Sequence, residues 1–251
     1  MRLFWLLISK YSYLPIPRRW QAAQAELPRA LALLPLWGLI TGLISAVTVC
    51  RGLNADSRWL AALLVFLTIL SSGAIWLRDI FSVASGLKPP VPPNLAAVAD
   101  VAMPSALRRE NPLPLNRGAL ITCCLYLLMQ YGCFFMLLRL NIHICVYVMA
   151  AVSSRFIYLW GVYDFAALPP AFLHSGISRR DFGRAALFCL IIVAVCACIS
   201  PSFSLSPVPA LLAATLFYRR RLNSLGALDE AAYGAAAGWS EILLYLYPIL
   251  F

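Results

Sequence analysis

The stretch GALITCCLYLLMQYGCFFMLL, residues Gly118–Leu138, decides the fold class of this chain because it contains no charged side chain. A helix needs roughly 20 apolar residues to cross about 30 Å of hydrocarbon, and this stretch supplies them. Of all 251 residues, 62% are apolar and only 12% are charged, whereas soluble domains usually carry about 25% charged residues. The chain is therefore predicted to be an integral membrane protein.

Further apolar runs lie on both sides of that stretch, each bounded by charged or turn-forming residues. The longer runs are Leu31–Cys50, Trp59–Leu77 and Ile142–Val162, and the shorter ones are Ala185–Ile199, Val208–Tyr218 and Trp239–Phe251. Because only helices or closed barrels satisfy the backbone in lipid, they predict an all-α polytopic bundle of about six to seven transmembrane segments. Residues 1–251 are expected to form one domain. Whether the last two short segments cross, tilt or re-enter is left open by their length.

The basic residues predict how the chain is oriented. The 20 lysines and arginines outnumber the 10 acids, and most precede the first segment, separate the second from the third, follow the fourth, or form Arg219–Arg221. Cytoplasmic loops concentrate such residues, so the amino terminus is predicted to be cytoplasmic, with only Arg51, Arg58 and Arg139 outside. This orientation explains the basic surplus without a nucleic-acid partner. It also places a polar, proline-rich loop over residues 78–117 in the cytoplasm.

The cysteines give no sign of a metal or disulfide framework. All eight lie inside or at the edge of apolar runs, and no C-x-x-C pair is present. Zinc sites need such pairs, or histidines at matching distances. The cysteines are therefore interpreted as small buried hydrophobic residues.

Several phrases of the sequence follow one another in an informative order. LPIP at Leu14–Pro17 precedes LLPLWGLITGLI, which contains Gly38 and Gly42, and AAVSSRF at Ala150–Phe156 places a serine-arginine pair inside an apolar segment. A last phrase, RRLNSLGALDEAAYGAAAGWSEILLYL, contributes Gly226, Gly234, Ala235 and Glu241. In order and distance these phrases resemble the cobalamin synthases, the membrane-bound adenosylcobinamide-GDP ribazoletransferases. The resemblance covers nearly the whole chain.

The family's acidic phrase, G-G-x-H-x-D-G-x-x-D-x-x-D-G-L, runs without a gap alongside GAIWLRDIFSVASGL, residues Gly73–Leu87. Its histidine becomes Trp76, and its aspartates become Arg78, Ser82 and Ser85. The resemblance implies that those aspartates serve a magnesium ion, which takes hard oxygen ligands. An arginine repels a divalent cation, and serine brings no charge. The ordinary metal site of the family is therefore predicted to be absent.

The reaction that the resemblance implies is a magnesium-dependent phosphoryl transfer. The hydroxyl of α-ribazole, or of its phosphate, attacks the adenosylcobinamide side of adenosylcobinamide-GDP and expels GMP. The implied partners are this corrinoid nucleotide, α-ribazole and the lipid bilayer, and the implied location is the cytoplasmic membrane of a bacterium.

Three residues are candidate catalytic groups. Glu241 is an acid inside an apolar segment, and such acids are by default functional candidates with a partner; Arg155 is its natural counterpart. The two residues would form a phosphate-facing pocket or simply join two helices. Asp79, next to a substituted family aspartate, either compensates for that aspartate or lies at a solvated helix end beside Arg78.

Substrate-binding candidates follow from the same phrases. Ser154 belongs to the serine-arginine pair, and Arg220 and Arg221 carry guanidinium groups whose geometry matches phosphate oxygens. Membrane topology and anionic lipid account for these arginines equally well. In the same way, Asp229 and Glu230 either compensate for a family aspartate that becomes Ala231 or lie on the surface.

Two hypotheses follow for the function. The chain is a cobalamin synthase-like transferase with a rebuilt metal site, or a non-catalytic relative that binds a corrinoid, a nucleotide or a partner protein in the membrane. A transporter or channel subunit ranks last, because Arg155 and Glu241 are nearly alone among the charges within the spans.

Overall fold

The computed structural model describes residues 2–12, 26–52, 55–72, 74–86, 116–165, 177–201, 205–225, 228 and 230–251, which form helices and turns. The helices are α1 (Arg2–Tyr11), α2 (Leu27–Leu31), α3 (Leu34–Arg51), α4 (Ser57–Ser72), α5 (Ile75–Ala84), α6 (Arg117–Arg139), α7 (Cys145–Asp164), α8 (Arg179–Ile199), α9 (Pro207–Leu225) and α10 (Glu230–Leu250). The predicted all-α polytopic membrane fold is confirmed. The phrase at Leu14–Pro17, Gly226 and Asp229 lie outside the described residues, as does the side chain of Glu230.

The described residues contain fewer candidate spans than the six to seven predicted. Four helical stretches, Arg29–Arg51, Arg117–Arg139, Cys145–Asp164 and Arg179–Ile199, are long and apolar enough to cross a membrane, and α4 with α5 gives a fifth if the bent pair is one span. The last three helices are longer than predicted. They run for 21, 19 and 21 residues. Arg219–Arg221 lie near the end of α9, and α10 contains Glu230 and Glu241, so these two helices are less apolar than a typical span.

The prediction of one continuous span over Trp59–Leu77 is wrong, because α4 and α5 are inclined by 85° to each other. Ala74 has a φ of +50° at the break, a left-handed conformation that is unfavourable for a residue with a Cβ. The Ala74 N–H donates to the carbonyl of Ile69 at 3.0 Å, a spacing typical of a π-bulge. The hydroxyls of Ser71 and Ser72 also bond to carbonyls of their own helix, which bends helices.

The loop predicted over residues 78–117 begins later than expected. Residues up to Ala84 are helical, with Gly86 in a left-handed turn at φ +66°, where glycine carries no Cβ penalty. Residues 87–115 lie outside the described part of the chain.

Helix α7 occupies the centre of the bundle. It packs against α3, α8, α9 and α10, while α10 also contacts α5, α6 and α9. The main apolar core gathers side chains from most of these helices, including Leu64, Ile80, Phe134, Tyr147 and Tyr245. The polar residues of α7 are consequently surrounded by protein.

Candidate functional site

Arg155 enters the interior of the bundle because α3 passes unusually close to α7. A Cβ on Gly38 would lie 2.6 Å from the carbonyl oxygen of Ala151 and 2.9 Å from Cδ of Arg155. Both distances are too short for a real side chain, so only glycine at this position leaves room for the arginine stem. Arg155 is 3% exposed, which makes its charge one of the most enclosed in the described part of the chain.

The guanidinium of Arg155 has identifiable neighbours. Nη1 donates to the carbonyl of Ala151 at 3.0 Å, and the guanidinium carbon lies 5.1 Å from the ring centroid of Trp76. This is a cation–π contact. Trp76 therefore forms one wall of the arginine site.

A small cavity adjoins Arg155 at the break between α4 and α5. Its volume is about 10 Å³, and its walls include Arg155, Trp76, Ser71, Ser72 and Tyr11. A space of this size holds about one water molecule. Its far wall is closed by α1, where the hydroxyl of Tyr11 donates to that of Tyr158 at 3.1 Å.

Glu241 of α10 is the buried acid of the site. It is 2% exposed, and its Oε1 accepts a hydrogen bond from the hydroxyl of Tyr245 at 3.1 Å. Its Oε2 is buried and has no hydrogen-bond partner within the described residues. Arg155 is close enough to interact with it electrostatically. A buried carboxylate oxygen without a donor is costly and therefore marks a place where a ligand or water would be stabilised.

Arg155 and Glu241 interact electrostatically but form no direct ion pair within the described residues. Each lies in the electrostatic field of the other, but the ion pairs in the described part of the chain do not include this one. These two residues therefore do not join α7 to α10 by an ion pair. Both groups are buried in the interior of the bundle, Arg155 on α7 and Glu241 on α10.

Asp79 does not lie at a solvated helix end. It is 1% exposed, and its carboxylate sits directly over Gly234 of α10, where any Cβ would overlap it. The other predicted contact is present, because Nη2 of Arg78 lies 3.4 Å from Oδ1 of Asp79. Gly234 and Glu241 are seven residues apart on α10, or about 10 Å along the axis. Asp79 and Glu241 therefore occupy separate levels of the helix.

Arg78, Ser82 and Ser85, which the sequence analysis aligned with the family's aspartates, lie off the fully buried face of α5. Trp76, Asp79 and Ile80 form the buried face of α5, whereas Arg78 is exposed and Ser82 and Ser85 are half-buried. The hydroxyl of Ser85 already donates to the carbonyl of Phe81 at 2.8 Å. Among the residues that the structure describes, no three His, Cys, Asp or Glu side chains converge. The donors present do not fit a magnesium ion, which needs several hard oxygen ligands.

Of the substrate-binding candidates, Ser154 lies beside Arg155 on α7, whereas Arg220 and Arg221 lie elsewhere. Ser154 is fully buried, and its hydroxyl donates to the carbonyl of Ala151 at 3.2 Å. Arg220 is exposed and Arg221 half-buried near the end of α9. That helix meets α7 where Tyr218 packs on Gly161, further along α7 than Arg155. The described residues thus contain one interior cluster and a separate basic helix end.

The sequence interpretation missed two members of the cluster. Tyr245 follows Glu241 by four residues, a spacing that places both on one helix face, and this signal was available. Trp76 could not be found in that way, because its contact with Arg155 depends on how α5 folds back after the break.

The comparisons with known proteins bear on the amino-terminal part of the chain. No curated protein and no solved structure matches this chain. One family matches part of the chain. The matching segment begins in α1 and ends at Arg78 in α5, so it includes Trp76 but not Arg155 or Glu241. Residues 3–78 of this chain match the family of the cobalamin-5-phosphate synthases.

Proposed function

We propose that this protein is a cobalamin synthase-like membrane protein that binds a phosphate-bearing corrinoid nucleotide at Arg155 without the family's magnesium ion. The observation that carries the proposal is the guanidinium of Arg155, enclosed by protein and in contact with Trp76. Trp76 belongs to the segment that matches the family.

The chemistry of the cluster suits an anionic ligand. A guanidinium pairs with phosphate oxygens through two parallel N–H donors. Within the described residues, Arg155 donates a hydrogen bond from Nη1 to the carbonyl of Ala151, which leaves donors for such a ligand. The adjacent α5 begins without a side-chain cap, and uncapped helix amino termini attract anions. Burial strengthens both effects, because there is little water to screen them.

The site must open for such a ligand to enter. The present cavity of about 10 Å³ has room for about one water molecule. Helix α1 closes one side of the cavity, and the break between α4 and α5 closes another. Binding therefore requires one of these two elements to shift, and it is expected to change the environment of Tyr11 and Trp76.

A second candidate function is the transferase reaction of the family, which the match over residues 3–78 favours. In that case adenosylcobinamide phosphate passes from adenosylcobinamide-GDP to α-ribazole, or to its phosphate, with loss of GMP. Glu241, Arg155 and Asp79 would be the catalytic groups, and Ser154, Arg220 and Arg221 would bind substrate. Magnesium remains part of this second proposal only, with ligands other than the substituted positions on α5.

The proposed setting is the cytoplasmic membrane of a bacterium, with the amino terminus in the cytoplasm and no nucleic-acid partner. The distribution of arginines supports this orientation. Reporter fusions after residue 139 and after residue 165 are expected to report opposite sides of the membrane.

The deciding experiment uses the full chain in lipid nanodiscs with adenosylcobinamide-GDP, α-ribazole, and magnesium either present or chelated. We expect binding that does not depend on magnesium, with no release of GMP. Magnesium-dependent release of GMP that Glu241→Gln abolishes would establish the transferase instead. If the ligand neither binds nor turns over, both proposals fail.

A restoration variant tests the account of the metal site. Arg78→Asp, Ser82→Asp and Ser85→Asp together return three carboxylates to one face of α5. The triple variant is expected to bind magnesium more tightly than the wild type. An unchanged affinity would mean that this face of α5 does not have the geometry of a metal site.

A further inference from the structure

A second reactive site lies at one end of the contact between α7 and α8, away from Arg155. Cys145 is the first residue of α7 and is half-buried. Cys196 lies in the last turn of α8 and is 6% exposed. Cys196 belongs to a small apolar cluster with Val148 and Met149, and Cys145 packs against that cluster, where the two thiols are close enough to interact.

The antiparallel arrangement of α7 and α8 makes this contact a feature of the fold. At the opposite end of the pair, Phe182 of α8 stacks on Tyr163 of α7 with ring centroids 4.0 Å apart. Thus the start of α7 lies beside the end of α8. The cysteines are distant in sequence but adjacent in space, as a structural disulfide requires.

The cysteine pair lies on the side of the membrane opposite the arginines that open α8. Arg179, Arg180 and Arg184 occupy the first turns of that helix, and the positive-inside rule assigns them to the cytoplasm. In the orientation proposed above, Cys145 and Cys196 therefore face the outer compartment. Disulfides form and persist in such oxidising surroundings.

We propose that Cys145 and Cys196 form a reversible disulfide that fastens α8 to α7. The oxidant is an organic disulfide, either of low molecular weight or carried by a protein. The Cys145 thiolate attacks one of its sulfurs and releases one thiolate. The Cys196 thiolate then attacks the Cys145 sulfur and releases the second thiolate. Two protein thiols become one disulfide, and the two protons that they lose convert the leaving thiolates to thiols.

The position of α8 gives the bond a physical role. Only 17% of its apolar stretch is buried, and its main partner in the described bundle is α7, with a smaller contact to α3. A covalent bond at the outer end would hold this weakly packed helix against the helix that carries Arg155. The proposal gives this pair a role beyond that of the small buried hydrophobic residues predicted from the sequence.

The test uses the full wild-type chain in nanodiscs, treated with oxidised glutathione, blocked with N-ethylmaleimide and mapped by mass spectrometry. We expect a peptide that joins Cys145 to Cys196, lost after reduction with dithiothreitol, and a thermal midpoint several degrees higher in the oxidised protein. Cys196→Ser should leave Cys145 as a mixed disulfide with glutathione. Cys196→Ala gives a second readout should the serine disturb the fold.

Cys189→Ser provides the matched control. Cys189 is also buried on α8, but it precedes Cys196 by seven residues and so lies about 10 Å further along the helix axis. The joined peptide should therefore persist in this variant. The proposal is overturned if glutathione oxidises only other cysteines, if Cys145 pairs with a residue other than Cys196, or if Cys189→Ser prevents the bond as completely as Cys196→Ser does.

Discussion

Helices α7 and α8 lie side by side, have nearly equal lengths of 20 and 21 residues, and have opposite surroundings. In α7, 89% of the apolar stretch is buried, against 17% in α8. The buried helix is the one with polar residues in its middle, Ser153, Ser154 and Arg155, whereas α8 is uniformly apolar between its first turns and its end.

The difference teaches how to interpret hydropathy in this chain. Lipid is as apolar as leucine, so the most apolar helix gains nothing by leaving it. A charged residue, in contrast, must face protein or a cavity. The less apolar of two spanning helices is therefore the interior one, and its polar residues mark the site.

Among the variants that test this comparison, Arg155→Leu is expected to have the largest effect on stability. Removing the cation leaves Glu241 in the interior without its electrostatic partner. Because the two groups share no direct bond, the expected cost is about 3 kcal/mol, the lower end of the range for a broken buried ion pair. The free energy of unfolding, measured by titration with a denaturing detergent, should fall accordingly. The paired variant Arg155→Leu with Glu241→Leu should recover part of the loss. A single variant as stable as the wild type would mean that the two charges do not interact.

A smaller loss is expected from Gly38→Ala on the α3 side of the same interface. The new methyl group would press on the backbone of Ala151 and on the stem of Arg155, and overpacking of this kind costs about 1–3 kcal/mol. Gly42→Ala meets the backbone of Val148 but not Arg155. Both variants should lose stability in the same titration, and only Gly38→Ala should weaken ligand binding. Equal effects of the two variants on binding would contradict the positioning of Arg155 by Gly38.

Tyr245→Phe removes the hydroxyl that donates to Glu241. The buried oxygen then lacks a donor, which costs about 1–2 kcal/mol. The measurement is the thermal midpoint of Tyr245→Phe. The matched control is Tyr247→Phe, which alters a half-buried tyrosine of the same helix. If both tyrosine variants shift the midpoint equally, the bond to Glu241 contributes nothing.

The smallest effect is expected from a variant in α8, and it is a gain in stability rather than a loss. A Cβ at Gly183 would meet nothing within 4 Å, so Gly183→Ala should stabilise the helix by about 0.5–1 kcal/mol through backbone entropy alone. The same titration would detect the gain. A loss comparable with that of Gly38→Ala would show that α8 is packed more closely than this structure indicates.

Part of this organisation was predictable from the sequence. The uncharged run at Gly118–Leu138 predicts α6 almost to the residue, and the apolar surroundings of Arg155 and Glu241 predict that both are buried. The four-residue spacing of Glu241 and Tyr245 also predicts that their side chains lie close together on one helix face. These inferences succeed because they depend on the local cost of placing polar groups in an apolar environment.

The remaining features depend on tertiary contacts that a single sequence does not display. The break before Ile75 lies within an apolar run that is long enough to span the membrane, so hydropathy predicts one straight helix. Asp79 is adjacent to an arginine and looks like a surface residue, and its burial becomes evident only when Gly234 of α10 is placed against it. The contact of Cys145 with Cys196 likewise depends on the antiparallel pairing of α7 and α8.

The affinity of the full chain for adenosylcobinamide-GDP, measured by calorimetry in nanodiscs with magnesium chelated, tests the central claim most directly. The account predicts that the wild type and Arg139→Gln, which alters an arginine at the exposed end of α6, bind alike, and that Arg155→Gln loses at least tenfold in affinity, about 1.4 kcal/mol. Equal affinities of Arg155→Gln and Arg139→Gln, or binding that requires magnesium, would contradict it.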